Sequence, residues 1–180
     1  MRTLARIAFF AVVVYVGFEL RDRLSGLEIV NQTRRQLEVA ILHFEPHVPR
    51  PAGQAPAKND NWLPEDKSGR WIAEGWTRVG PGQNVIVYQG KRDKVFVHLR
   101  FVGSIDCYAP VQHFNQAGCY VHPRSFVLER SAGSPKLWAT AQVEGKELGT
   151  FRPTDLRQHG FVWEDRFYEV WVNTRLTVAY

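Results

Sequence analysis

From Leu27 onward the sequence is cut into short apolar, β-branched and aromatic segments by turn chemistry about every eight to twelve residues, the rhythm of a sandwich or barrel. Leu27-Glu28-Ile29-Val30 alternates as a half-buried strand does, and Leu37, Val39 and Ile41 share one face of a second strand over 37–44. With the turn residues Asn31-Gln32-Thr33 between them, these two segments read as a hairpin. Further strands are expected over 70–79, 85–88, 95–102, 126–128, 161–172 and 175–180. Gly80-Pro81-Gly82-Gln83 fits a tight turn in which Pro fixes φ and Gly supplies a positive φ. The stretch 104–124 reads as irregular, 136–142 as strand or helix, and 153–158 as one helical turn before Gly160. No strand–helix–strand rhythm supports a parallel α/β sheet. The expected fold class is all-β, an antiparallel β-sandwich or barrel-like domain preceded by one N-terminal transmembrane helix.

That helix is read from the N-terminus. Arg2 and Arg6 precede a run free of charge over 7–18, and a basic start before an apolar run is an export signal. The run is short against the roughly 20 residues of a full span, but Leu4, Ala5 and Leu20 extend it. No Ala-x-Ala-like site follows it, so an uncleaved signal anchor over 1–23 is expected, with a cleaved signal as the alternative. The charge order puts the N-terminus inside. Residues 24–180 then form an extracytoplasmic domain, in the periplasm or outside the cell, on a single-pass tether in the cytoplasmic membrane. Five prolines, Pro46, Pro49, Pro51, Pro56 and Pro64, mark 45–69 as a long loop inserted into that domain.

The net charge of +5 is spread in pairs such as Arg34-Arg35 and Lys91-Arg92, without the dense basic face that nucleic acid needs. No nucleic-acid partner is expected, and basic residues near a membrane surface are the plainer reading. Asn31-Gln32-Thr33 also matches the N-glycosylation pattern, a short match that arises easily by chance.

Several of these segments resemble the bacterial Domain of Unknown Function 1036 family. The likeness rests on Ile29-Val30-Asn31-Gln32-Thr33 with Leu37-Glu38-Val39-Ala40-Ile41, and on Trp71-Ile72-Ala73-Glu74-Gly75-Trp76 followed by Val79-Gly80-Pro81-Gly82. The ending Arg157-Gln158-His159-Gly160, Phe167-Tyr168-Glu169-Val170 and Leu176-Thr177-Val178 resembles the family's close. Val30 and Asn84 stand where the family often has cysteines, and Thr77 where it often has another Trp. The resemblance implies a small exported bacterial domain and brings no activity with it.

Chemistry-bearing residues concentrate in 104–124. Cys107 and Cys119 are the chain's two cysteines, and an even, low count in an exported protein reads first as one disulfide. Together with His113 and His122 they form a possible but unpatterned metal set, and the metal reading stays open. A nucleophilic thiol needs a nearby base, for which His98 and His113 are candidates. Glu74, Glu164, Asp165 and Glu169 read as turn and strand-face charges. No Gly-x-Ser-x-Gly elbow is present, and no cofactor is implied. Most of the six Trp are expected in core or boundary positions. Trp62-Leu63-Pro64, an apolar group in a polar loop, reads as an anchor that docks on its own domain or on a partner, and it is the candidate partner-binding site.

The chain thus reads first as a non-enzymatic binding or assembly module, an accessory subunit contacting a membrane or envelope protein. The alternatives are a small envelope hydrolase or redox/metal protein using 107–122, or a ligand-binding sandwich with surface aromatics.

Overall fold

A computed structural model of the chain describes residues 26–46, 69–90, 94–104, 107–110, 115–131 and 138–179. The expected anchor over 1–23, its apolar run over 7–18, and Trp62-Leu63-Pro64 in the inserted loop lie outside these residues. Among the described residues, no helix is long and apolar enough to cross a membrane.

The fold is all-β with one short 3-10 helix. In chain order the strands are β1 (Gly26–Asn31), β2 (Leu37–Glu45), β3 (Arg70–Val79), β4 (Asn84–Gln89), β5 (Lys94–Phe101), β6 (Cys107–Tyr108), β7 (Gln116–Val121), β8 (Phe126–Ser131), β9 (Ala139–Val143), β10 (Lys146–Phe151), β11 (Val162–Trp171) and β12 (Arg175–Val178). A three-stranded sheet has the order β12-β1-β4. A nine-stranded sheet runs β10-β9-β8-β3-β2-β5-β11-β7, with β6 paired to β5 beside this path. The larger sheet is antiparallel and curled. Its edge strand β7 approaches β3 and β8, which lie far from it in the hydrogen-bonding order.

Strand alternation explains why both faces of the central pair are buried. On β2 and β5, Leu37, Val39, Ile41, Val95, Val97, Leu99 and Phe101 point to one side. There they meet Leu27 and Ile29 of β1 and Leu176 and Val178 of β12, which closes the first core. Ala40 and Leu42 point to the other side and join Ala73, Cys119, Phe126, Leu128, Phe161 and Phe167 in a second core inside the curl. At about 1.5–3 kcal/mol for each fully buried large apolar side chain, these two cores dominate the stabilisation of the domain.

Four expectations are corrected. First, β1 and β2 are not a hairpin. β1 pairs β4 and β12, whereas β2 pairs β3 and β5. The two strands face each other across the first core, so their matched apolar alternation reflects a shared core rather than a shared ladder. Second, the β1–β12 pair is parallel, joining the two ends of the domain. Third, 104–124 contains β6 and β7. Fourth, β10 is an added strand with mostly exposed side chains, invisible to an apolar-periodicity reading. The ambiguous 136–142 segment resolves as β9. The helical turn forms over Pro153–His159, buries Leu156, and ends at Gly160 with φ 82°.

Two turn readings acquire a mechanism. Gln83 N–H donates to Gly80 C=O at 3.1 Å with Gly82 at φ 70°, the closure and positive φ of a Pro-Gly turn. Asn31 is fully buried; its Nδ2 donates to Arg35 C=O and Val79 C=O, and its Oδ1 accepts from the Thr33 amide and hydroxyl. A side chain so placed and so bonded is closed to glycosylation.

Candidate functional site

The side of β5 that carries Phe96, His98 and Arg100 holds the most chemically organised group of side chains. Register sets the neighbours. Ala40 lies opposite His98 and Glu38 opposite Arg100 on β2, while Cys107 of β6 lies opposite Arg100 on the other side. Directly opposed residues share a face, so the two-residue strand β6 delivers Cys107 to the same side as His98. Cys107 Sγ lies 3.6 Å from His98 Nε2.

The third member comes from β11. Pairing of β11 with β7 shifts register between Glu164 and Phe167, and such bulges re-aim side chains. Here the irregularity turns the Glu164 carboxylate toward His98, with Oε2 4.0 Å from Nε2. Arg166 fixes that carboxylate: its Nε donates to Oε1 at 2.7 Å, its Nη2 to Oε2 at 2.8 Å, and its amide to Oε1 at 3.0 Å. Its carbonyl lies 3.0 Å from His98 Nδ1.

This last contact assigns the tautomer. A carbonyl only accepts, so Nδ1 carries the proton and the neutral ring keeps its lone pair on Nε2, facing Cys107 and Glu164. Burial lowers the His98 pKa; the Arg166 carbonyl and the Glu164 charge work against that without overcoming it. The ring is therefore neutral near pH 7, and its 4.0 Å approach to Glu164 is not an ion pair. Burial opposes the Glu164 charge too, but its bonds to Arg166 win and its pKa falls below the usual value.

The walls are aromatic. Trp76 and Phe167 flank His98, with ring centroids 5.5 and 5.4 Å from the imidazole. Trp76 is itself held by its Nε1–H donating to His122 C=O at 2.8 Å and by the Arg100 guanidinium 3.7 Å over its ring. Arg100 is held in turn by Glu38 Oε2, at 3.1 Å from Nε and 2.9 Å from Nη2. Gly75 leaves no room for a side chain beside this Trp: a Cβ there would stand 2.8 Å from Phe126 and 2.9 Å from Ala40. The Gly-Trp segment is thus part of the site's frame. A separate cleft lined by Glu74, Gly75, Trp76, Ser125 and Phe126 includes Trp76 but none of the three converging donors.

The sequence-derived candidates fare differently. Cys107 of β6 and Cys119 of β7 are not joined by a disulfide in this structure, where one is expected from the sequence. Cys119 faces the second core from β7, where burial pushes its thiol up to about 11, whereas Cys107 is half-buried beside His98. His113 lies outside the described residues. His122 packs on Phe161 and accepts from the Arg124 amide through Nδ1, apart from the donor group. Among the described residues, the group whose ligand atoms lie within 4.8 Å of one another is His98, Cys107 and Glu164. Of these, the sequence offered Cys107 and, as a possible base, His98; it gave no sign that Glu164 joins them. Trp138 is buried, Trp71 and Trp76 are half-buried, and Trp163 and Trp171 are exposed.

Comparison with known protein families, with curated proteins and with solved structures finds no match for this chain.

Proposed function

We propose that this domain works through the Cys107 thiol, with His98 as the base that receives its proton. The observation that carries this is the 3.6 Å approach of Sγ to a ring nitrogen whose partner nitrogen is pinned by a backbone carbonyl. That is the nucleophile–base–orienter arrangement of thiol chemistry. When Sγ attacks a carbonyl carbon, the S–C bond forms as the C=O π pair moves onto oxygen, and the thiol proton passes to Nε2. The Arg166 carbonyl keeps the imidazole aligned throughout. Half-burial of Cys107 supports access to a small electrophile, and the aromatic walls support exclusion of bulk water. The wider setting is part of the same proposal: an extracytoplasmic domain of the Domain of Unknown Function 1036 type, tethered by residues 1–23 to the cytoplasmic membrane.

The test is the rate at which iodoacetamide labels Cys107 in the full chain. Replacing His98 by Gln should slow labelling roughly 10²–10⁴-fold, the span of general-base assistance, with the melting curve retained. Equal rates in a folded variant would defeat the thiol reading. Carbonate extraction with sequencing of the N-terminus tests the tether, and a soluble species beginning after residue 18 would defeat it.

A second reading, a binding or assembly module, has its own support. Val162 and Trp163 of β11 are 62% and 46% exposed, and Trp163 stacks edge-on against Tyr120 of the edge strand β7. Trp163→Ser should leave melting unchanged and reduce recovery of envelope proteins from mild detergent. Identical recovery would remove this reading.

A further inference from the structure

The same site has one feature that a thiol–base pair does not require: a carboxylate held on the lone-pair side of the imidazole. We infer that His98, Cys107 and Glu164 form a mononuclear site for a divalent cation of the zinc class, with the fourth position open to water or a small anion. The inference rests on the thiol reading in taking Cys107 as the functional group, and adds Glu164 as its partner through a metal ion.

The donor set fits that cation. Sulfur, imidazole nitrogen and carboxylate oxygen are its three protein ligand types, and three such ligands with one open position is the pattern of exchangeable rather than closed structural sites. The spacing fits as well. Ligands at about 2.3 Å for sulfur and about 2.0–2.1 Å for nitrogen, set at a tetrahedral angle, stand about 3.6 Å apart, and Sγ and Nε2 are 3.6 Å apart. Nitrogen and oxygen ligands would stand about 3.4 Å apart, against 4.0 Å between Nε2 and Glu164 Oε2. The carboxylate closes that gap with a small side-chain rotation. Its guide, Arg166, has a side chain 42% exposed.

The surroundings already have the form that metal sites need. A ligating histidine donates its other N–H to a carbonyl or carboxylate, which fixes the tautomer and aims the lone pair; His98 does this to Arg166 C=O. Ligating carboxylates are themselves hydrogen-bonded, as Glu164 is by Arg166. Thiolate, carboxylate and dication sum to no net charge, which makes the loaded site tolerable in a half-buried setting. Loading would release the thiol proton to solvent as the Sγ–metal bond forms.

The test uses the full chain in mild detergent, stripped of metal and kept reduced by a phosphine. Zinc is titrated calorimetrically, and Cys107 alkylation is followed with and without zinc. A single equivalent should bind and slow alkylation of Cys107 by tenfold or more, roughly the effect of occupying a thiolate. Cobalt should give a sulfur-to-metal charge-transfer band that is lost in Cys107→Ser. The separating variant is Glu164→Gln. It should weaken zinc binding by about 10–100-fold or more while metal-free alkylation keeps its dependence on His98. Zinc that binds equally well to Glu164→Gln and Cys107→Ser, or that gives no protection of Cys107, would overturn the metal site. Loss of protection with alkylation still dependent on His98 would leave the thiol reading standing alone. Alkylation indifferent to His98, with zinc protection intact, would leave the metal site and remove the base.

Discussion

Asn31 of β1 donates from Nδ2 to the carbonyl of Val79, at the end of β3, over 2.9 Å in a fully buried setting. One side chain thereby ties the small sheet to the large one at the point where β1 turns toward β2. The same amide group donates to Arg35 C=O, while Oδ1 collects both Thr33 donors. Asn31→Ala should destabilise the domain by about 1–3 kcal/mol, the cost of leaving buried groups unpaired. Asn31→Asp should cost more, because a carboxylate would face two carbonyls. Chemical denaturation of the two variants checks the order. Expression in a glycosylating host should add no mass at Asn31.

The Pro81-Gly82 turn separates conformational strain from crowding. A Cβ at Gly82 would meet nothing within 4 Å, so space is not what selects glycine there. The φ of 70° is, and a β-branched residue resists it. Gly82→Val should cost about 1–3 kcal/mol, whereas Gly82→Asn, which tolerates the left-handed region, should cost well under half as much. Equal melting temperatures for the two variants would mean that backbone conformation does not decide this position.

The two cysteines should behave as different chemical species. Cys119 is 1% exposed in the second core with its thiol pushed up to about 11, while Cys107 is half-buried beside an imidazole. At about pH 8, native protein should take one alkyl label, at Cys107, and denatured protein two, since the thiolate is the reactive form. Peptide mass mapping reads the outcome. Rapid native labelling of Cys119 would mean that β7 opens from the second core.

How much of this was legible in the sequence depends on the range of the interaction. Alternation over 95–101 is local, and β5 follows from it. Pro-Gly and Asn-x-Thr turn chemistry is local too: the Pro-Gly turn closes as read, and the Asn31–Thr33 turn forms without the hairpin expected around it. Partners are not local. The matched faces of Leu27-Ile29 and Leu37-Val39-Ile41 say that both strands meet apolar surface, not that they pair, and they face each other across a core. The site is hidden for the same reason. His98 and Cys107 meet through two residues of strand pairing at Leu99–Tyr108 and Arg100–Cys107, too short to leave a pattern. Glu164 joins them through a register shift that periodicity cannot anticipate. Reading the two cysteines as a pair rests on their number, whereas the structure sets them on separate strands, β6 and β7, without a bond between them.

The frame of the site offers the last prediction. Glu38 is 11% exposed at its side chain and bound by two arginines of different standing. Arg100, 25% exposed, reaches Oε2 with two nitrogens and also covers Trp76. Arg78, 66% exposed, reaches Oε1 with one nitrogen at 3.4 Å. An exposed single contact is worth about 0–1 kcal/mol, so Arg78→Met should be nearly silent. Arg100→Met removes the bidentate partner of a nearly buried carboxylate and the cation over an indole, and should cost about 1–3 kcal/mol. Much of that cost is the carboxylate left behind. The double variant Glu38→Met with Arg100→Met should therefore be more stable than Arg100→Met alone, as when a buried ion pair is replaced whole by apolar side chains. Trp76 fluorescence should shift in both Arg100 variants and not in Arg78→Met. Equal destabilisation by Arg78→Met and Arg100→Met would show that Glu38 does not discriminate between its partners, and that Arg100 does not hold the indole against His98.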